Sequence, residues 1–176
     1  RPVLETRKAV PAMEGAGVSL HRAFGFQDPE ELDPFLMMDH FRNDDPHMYQ
    51  AGFPWHPHRG IETITYVIEG AVGHQDSLGN TGNLKSGDVQ WMTAGKGVLH
   101  SEMPEQEQGL LHGFQIWLNL PASEKLKPAA YSDIRGDDIV ELRLDKGSLV
   151  RVIAGELSVA GKRLSGSIPK LSTEPL

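Results

Sequence analysis

The chain has 176 residues, no cysteine and a formal net charge of −7, which excludes a disulfide scaffold, a zinc-thiolate site and a cysteine nucleophile, so a metal here would be held by histidine and carboxylate. Its 39% hydrophobic and 23% charged residues are those of a folded globular protein, and its scattered acids leave no basic stripe for phosphates, which argues against direct nucleic-acid or anionic-membrane binding. No apolar run approaches the roughly 18 residues of a membrane span, and Arg1 to Val10 has no signal-like apolar core, so a cytoplasmic protein is expected.

In chain order, Asp28 to Leu32 is expected to form a turn. From Gly52 to Leu120 short apolar stretches alternate with Gly-rich turns, the rhythm of a β-barrel or sandwich. Ile61 to Ile68 is the clearest strand, apolar on both faces and hence covered on both. Further strands are expected at Val72-Gln75, Val89-Thr93, Val98-Glu102 and Leu110-Leu120, with turns at Leu78 to Asn83 and Ser86 to Asp88. Gly60, Gly70, Gly95 and Gly97 read as bends between strands. Ser123 to Lys127 suits a short helix with Ser123 as N-cap, ended by Pro128. Two more strands, Ile139-Leu144 and Leu149-Ile153, are expected around a turn at Asp145-Lys146-Gly147. From Glu156 to Leu176 small, polar and Pro residues suit a linker or the first strand of a further unit.

Chemistry concentrates in two short motifs. His56-Pro57-His58 puts two imidazoles at i and i+2, which project from one face of an extended backbone. His100-Ser101-Glu102 repeats the device with an imidazole and a carboxylate. Three imidazoles and one carboxylate suit a divalent first-row metal and leave coordination positions open for water, substrate or oxygen. Glu62, four residues after His58 and read on the same strand face, is a second candidate for the carboxylate. His21, His40, His47 and His74 have no ligand-spaced partner and receive no role. His112 is placed either near the site or outside it, and Arg59 and Lys96 are expected in solvent. Phe53, Met38, Trp91, Met92 and Gln115 are candidate walls of an apolar slot.

The stretches from Gly52 to Thr63, with Trp55-His56-Pro57-His58-Arg59-Gly60, and from Gly87 to Pro104, with Met92-Thr93-Ala94-Gly95-Lys96-Gly97, resemble the two signature stretches of the pirin family. The likeness extends through Leu32 to Asp39 and Gly113 to Leu120 and covers roughly the first 155 residues. It implies an all-β cupin fold, a double-stranded β-helix or jelly-roll barrel. Pirins carry two such barrels, so residues 1–155 are expected to form the N-terminal one with its N-terminal arm, and residues 156–176 a linker or the beginning of a second that is largely absent.

The same resemblance implies that His56, His58, His100 and Glu102 hold the metal and that Glu62 stands behind them as a supporting residue. It implies iron, although the donor set itself also suits Mn, Ni, Cu, Co or Zn. It further implies a quercetin 2,3-dioxygenase type of oxidoreductase that opens a flavonol ring with O2, with Glu102 also serving as base. The alternative reading is a non-catalytic metal- or redox-responsive regulator acting through a protein partner. A face left by the missing barrel would promote self-association.

Overall fold

A computed structural model describes residues 3, 5–26, 29–144 and 147–168. In chain order the elements are β1 (Val10–Glu14), β2 (Val18–Phe24), α1 (Pro29–Leu32), β3 (Phe35–Asn43), β4 (Phe53–His58), β5 (Ile61–Glu69), β6 (Ala71–Asp76), β7 (Thr81–Lys85), β8 (Val89–Thr93), β9 (Val98–Pro104), β10 (Leu111–Asn119), β11 (Ala130–Ile134), β12 (Val140–Arg143), β13 (Leu149–Val152), β14 (Glu156–Val159) and β15 (Lys162–Ser165). No helix of the described residues is long and apolar enough to cross a membrane.

Two antiparallel sheets make the barrel. One has the order β1-β2-β3-β10-β5-β8-β11 and the other β4-β9-β6-β7. Alternation along each strand sends one set of side chains between the sheets. There Val18, Tyr49, Val67, Val72, Leu84 and Leu111 are buried against Phe41 and Phe53. Met92, Ala94 and Val98 form a second inner cluster with Ile61 and Tyr131. The outer face of the larger sheet is also covered: Ile64, Val89 and Leu118 pack with Ile139 and Ile153. That explains why β5 is apolar on both faces.

The structure departs from the sequence reading at several places. The turn expected over Leu78 to Asn83 closes early, because Asp76 accepts hydrogen bonds from the amides of Leu78 and Asn80, and β7 starts at Thr81. Residues 122–127 form successive turns in place of a short helix. The Lys127 carbonyl accepts instead from the Lys96 amide, and Pro128 disfavours a helical conformation at the residue before it. Asp28 and the Asp145-Lys146 part of the predicted turn lie outside the described residues, as do residues 169–176. Residues 156–165 form the β14–β15 hairpin.

Candidate metal centre

β4 is an edge strand of the smaller sheet, where Pro54 and Pro57 leave no central ladder hydrogen bond unmade. It pairs with β9 so that Phe53 faces Glu102 and His56 faces His100. Pro54 and Trp55 on β4 thus oppose the single Ser101 on β9. This bulge restores Phe53 and His56 to one face, which plain alternation would deny them. Gly52 enters the strand at φ +59°, and a Cβ there would come within 2.8 Å of Met103 and 3.0 Å of the Glu102 carbonyl.

The bulge and the two i, i+2 motifs bring His56, His58 and His100 together. One ligand atom from each lies within 4.8 Å of the others. His56 and His58 approach Nε2 to Nε2 at 3.1 Å, and the His100 ring centroid is 4.4 Å from that of His56 and 4.9 Å from that of His58. His56 Nδ1 sits 2.8 Å from the Pro54 carbonyl, which fixes its ring and leaves Nε2 for the cluster. The Trp117 ring meets His58 edge-on at 4.8 Å.

Burial, then the positive charge of neighbouring imidazoles, pushes His58 down to about 4 and His100 down to about 3. Both are therefore neutral at pH 7 and carry a free lone pair. His100 Nε2 is buried without a protein hydrogen-bond partner. Three converging imidazoles, one of them with a buried nitrogen left without a protein partner, fit a borderline divalent cation.

Glu102, on the same face of β9 as His100, is outside the group whose ligand atoms converge within 4.8 Å, though near enough for its charge to act on His58. Its Oε1 accepts from Thr65 Oγ1 at 3.0 Å and its Oε2 from Gln115 Nε2 at 2.8 Å. Gln115 in turn accepts from Trp117 Nε1 at 3.1 Å. Glu62 is turned the other way. The bend at Gly60, with φ +70°, separates β4 from β5, so His58 and Glu62 belong to different sheets and the shared strand face read from the sequence does not exist. Glu62 points to the outer face and accepts from Trp91 Nε1 at 3.1 Å and Thr93 Oγ1 at 2.7 Å.

Phe53 and Gln115 line an inner cavity with Thr65, Glu102, Asp39 and Tyr49. Its free volume is about 40 Å³, room for a molecule the size of water or dioxygen and far below the roughly 300–1,000 Å³ of pockets that enclose drug-sized ligands. The other candidate walls lie elsewhere. Trp91 faces outward on β8, Met92 packs in the second inner cluster, and Met38 stands on the opposite face of β3 from Asp39 and Phe41. Adjacent residues of one strand, such as Trp91 and Met92, cannot share a wall. His112 lies on the outer face of β10, 3.1 Å from His40, and Arg59 and Lys96 are exposed. His74 is the residue that sequence reading missed: its Nδ1 lies 3.5 Å from that of His100. The signal was His74-Gln75-Asp76, the same i, i+2 device as in the two motifs.

An antiparallel jelly-roll barrel with inward-facing histidines near one end of two neighbouring strands defines a cupin. The pirin family profile matches residues 17–118, and the chain belongs to the pirin family. A Pseudomonas aeruginosa protein provisionally named a quercetin 2,3-dioxygenase is 51% identical over 175 residues, which cover 99% of this chain and 61% of that protein. The crystal structure of a quercetin 2,3-dioxygenase from Acinetobacter baumannii matches with a TM-score of 0.82 and 38% identity, over 94% of this chain and 59% of that one. A bacterial pirin from Escherichia coli in complex with nickel(II) matches with a TM-score of 0.58 and 25% identity, over 90% of this chain and 83% of that one. The chain spans about three fifths of the length of three curated relatives that it matches.

Proposed function

We propose that this chain carries the metal centre of a pirin-type dioxygenase that opens the flavonol ring of quercetin-like substrates with O2, and that His56, His58, His100 and Glu102 hold one iron ion. The observation that carries this reading is the convergence of three imidazoles, with Glu102 on the same face of β9 as His100 and lining a small apolar cavity. When bound, the metal would supply an electron-pair acceptor that lowers the pKa of the flavonol 3-hydroxyl and brings the reactants together.

The residues of the chain do the rest. The partly exposed rings of His56 and His58 mark the side from which a flat aromatic substrate approaches, since the inner cavity admits only a small molecule such as dioxygen. Phe53, Phe41 and Tyr49 keep that cavity apolar and exclude bulk water. In this reading Glu102 takes the hydroxyl proton. Gln115 Nε2 also lies 3.1 Å from Thr65 Oγ1, so it can release the carboxylate and keep a partner.

The test is to load the chain with Fe(II), confirm its metal content and measure quercetin-dependent oxygen uptake beside a His56→Ala control. Uptake that disappears in the control supports a dioxygenase housed in this barrel. Metal-replete protein without uptake contradicts it and favours the regulatory reading.

A further inference from the structure

His74 is buried, with 1% exposure, yet the proposed metal set leaves it out. On β6 it faces Glu102 across the ladder, while Asp76 faces His100. His74 Nδ1 lies 3.5 Å from His100 Nδ1, and His74 Nε2 lies 3.5 Å from Asp76 Oδ2. The His74 ring plane is set from the side: Tyr131 stacks on it at 4.5 Å and 28°. The Tyr131 hydroxyl is itself pinned, donating to Asp133 Oδ1 at 2.7 Å and accepting from Gln90 Nε2 at 3.1 Å. Gly82, opposite His74 on β7, leaves room for that hydroxyl, because a Cβ there would fall 1.9 Å from it.

Asp76 is equally fixed. It accepts from the amides of Leu78 and Asn80 and from Asn80 Nδ2, at 2.9, 3.0 and 2.7 Å. His74 Nε2 makes no hydrogen bond but lies 3.5 Å from Asp76 Oδ2, and because a carboxylate is an acceptor only, a proton on that nitrogen is favoured. Of the two His100 nitrogens only Nδ1 has a partner within reach, His74 Nδ1, so a proton on His100 is satisfied there and would be buried unpaired on Nε2. Neutral His100 is left with a bare Nε2, the buried nitrogen that has no protein partner. The Asp76–His74 contact and the approach of His74 to His100 thus favour the same proton arrangement.

We propose that His74, backed by Asp76, is a positioning residue that holds His100 in its Nδ1–H tautomer and so leaves the Nε2 lone pair free for a cation. The consequence for metal binding rests on the reading of His100 as a ligand, whereas the tautomer itself does not. Partners of this kind fix the ring and raise the basicity of a metal-bound imidazole.

The test compares the full chain with His74→Phe, which keeps a ring against Tyr131 but has no acceptor, and His74→Asn, whose Oδ1 replaces Nδ1 as acceptor. Imidazole ¹H–¹⁵N correlations of the metal-free proteins read the tautomer, with His100→Ala assigning the signal. Chelator-competition titration with Ni(II) alone reads affinity. His100 is expected as Nδ1–H in the wild type and in His74→Asn, and to lose that form in His74→Phe. Nickel affinity should fall by about 10–100-fold in His74→Phe and return largely in His74→Asn. A wild-type His100 protonated on Nε2, or a folded His74→Phe protein that binds nickel like the wild type, overturns the proposal. An Nδ1–H His100 in a chain that binds no nickel supports the tautomer control and counts against the metal reading instead.

Discussion

Two imidazole pairs in this barrel have the same separation: His56 and His58 inside it, His40 and His112 on the outer face of β3 and β10, each 3.1 Å from Nε2 to Nε2. Their surroundings differ. The inner pair has a third imidazole, His100, within ligand reach and a carboxylate, Glu102, on the same face of β9. The outer pair has the Phe114 ring stacked on His40 at 4.7 Å and the positive charge of Arg42 close enough to lower both histidines further than burial alone does. Among the described residues only the inner group brings three potential donors together. Spacing alone therefore does not make a metal site. A third imidazole within ligand reach distinguishes the inner pair from the outer one.

The comparison predicts its sharpest contrast in paired substitutions. His100→Ala should weaken Ni(II) binding by more than the roughly 100-fold upper range for loss of a supporting partner, while His112→Ala should leave it unchanged; competition titration measures both. A comparable loss in both variants would erase the distinction.

Acid is the next probe. His58 and His100 sit near 4 and 3 in the folded chain against an ordinary 6.5, so between about pH 6.5 and 3 the unfolded chain binds protons that the folded chain refuses. Stability of the metal-free protein should be full above pH 6.5 and fall as pH drops through that window. Denaturant midpoints across pH check this, and His100→Asn should flatten the slope.

The two carboxylates offer a smaller effect of the same kind. Glu62→Ala strands the Trp91 and Thr93 donors and should cost about 1–3 kcal/mol of stability with nickel affinity intact. Glu102→Ala should lose both stability and affinity. The smallest change is expected for His40→Ala, within about 0.5 kcal/mol, because that ring is on the outer face with solvent at hand; thermal unfolding would register a larger one.

Much of this was legible in the sequence, and the failures share a cause. An i, i+2 pair on an extended strand needs only the strand to exist, so His56-Pro57-His58 and His100-Ser101-Glu102 could be read directly, and the strands Val89–Thr93 and Leu149–Val152 follow from apolar runs between turns. Relations that cross a bend or a ladder could not. Glu62 looked aligned with His58 until Gly60 turned the chain into the other sheet. Phe53 and His56 share a face only through the bulge in β4 opposite Glu102 and His100. His74 meets His100 only because β6 pairs with β9, a register set by long-range pairing. Trp91 and Met92 were both expected to line the slot, although strand alternation alone separates them.

The most direct test of the central claim is a crystal structure of the Ni(II)-loaded chain with anomalous difference maps at the nickel edge. A single peak bound by His56, His58, His100 and Glu102, with Glu62 still held by Trp91 and Thr93, is the predicted result. A peak at His40 and His112, or one that recruits Glu62 while Glu102 stays with Thr65 and Gln115, would contradict it.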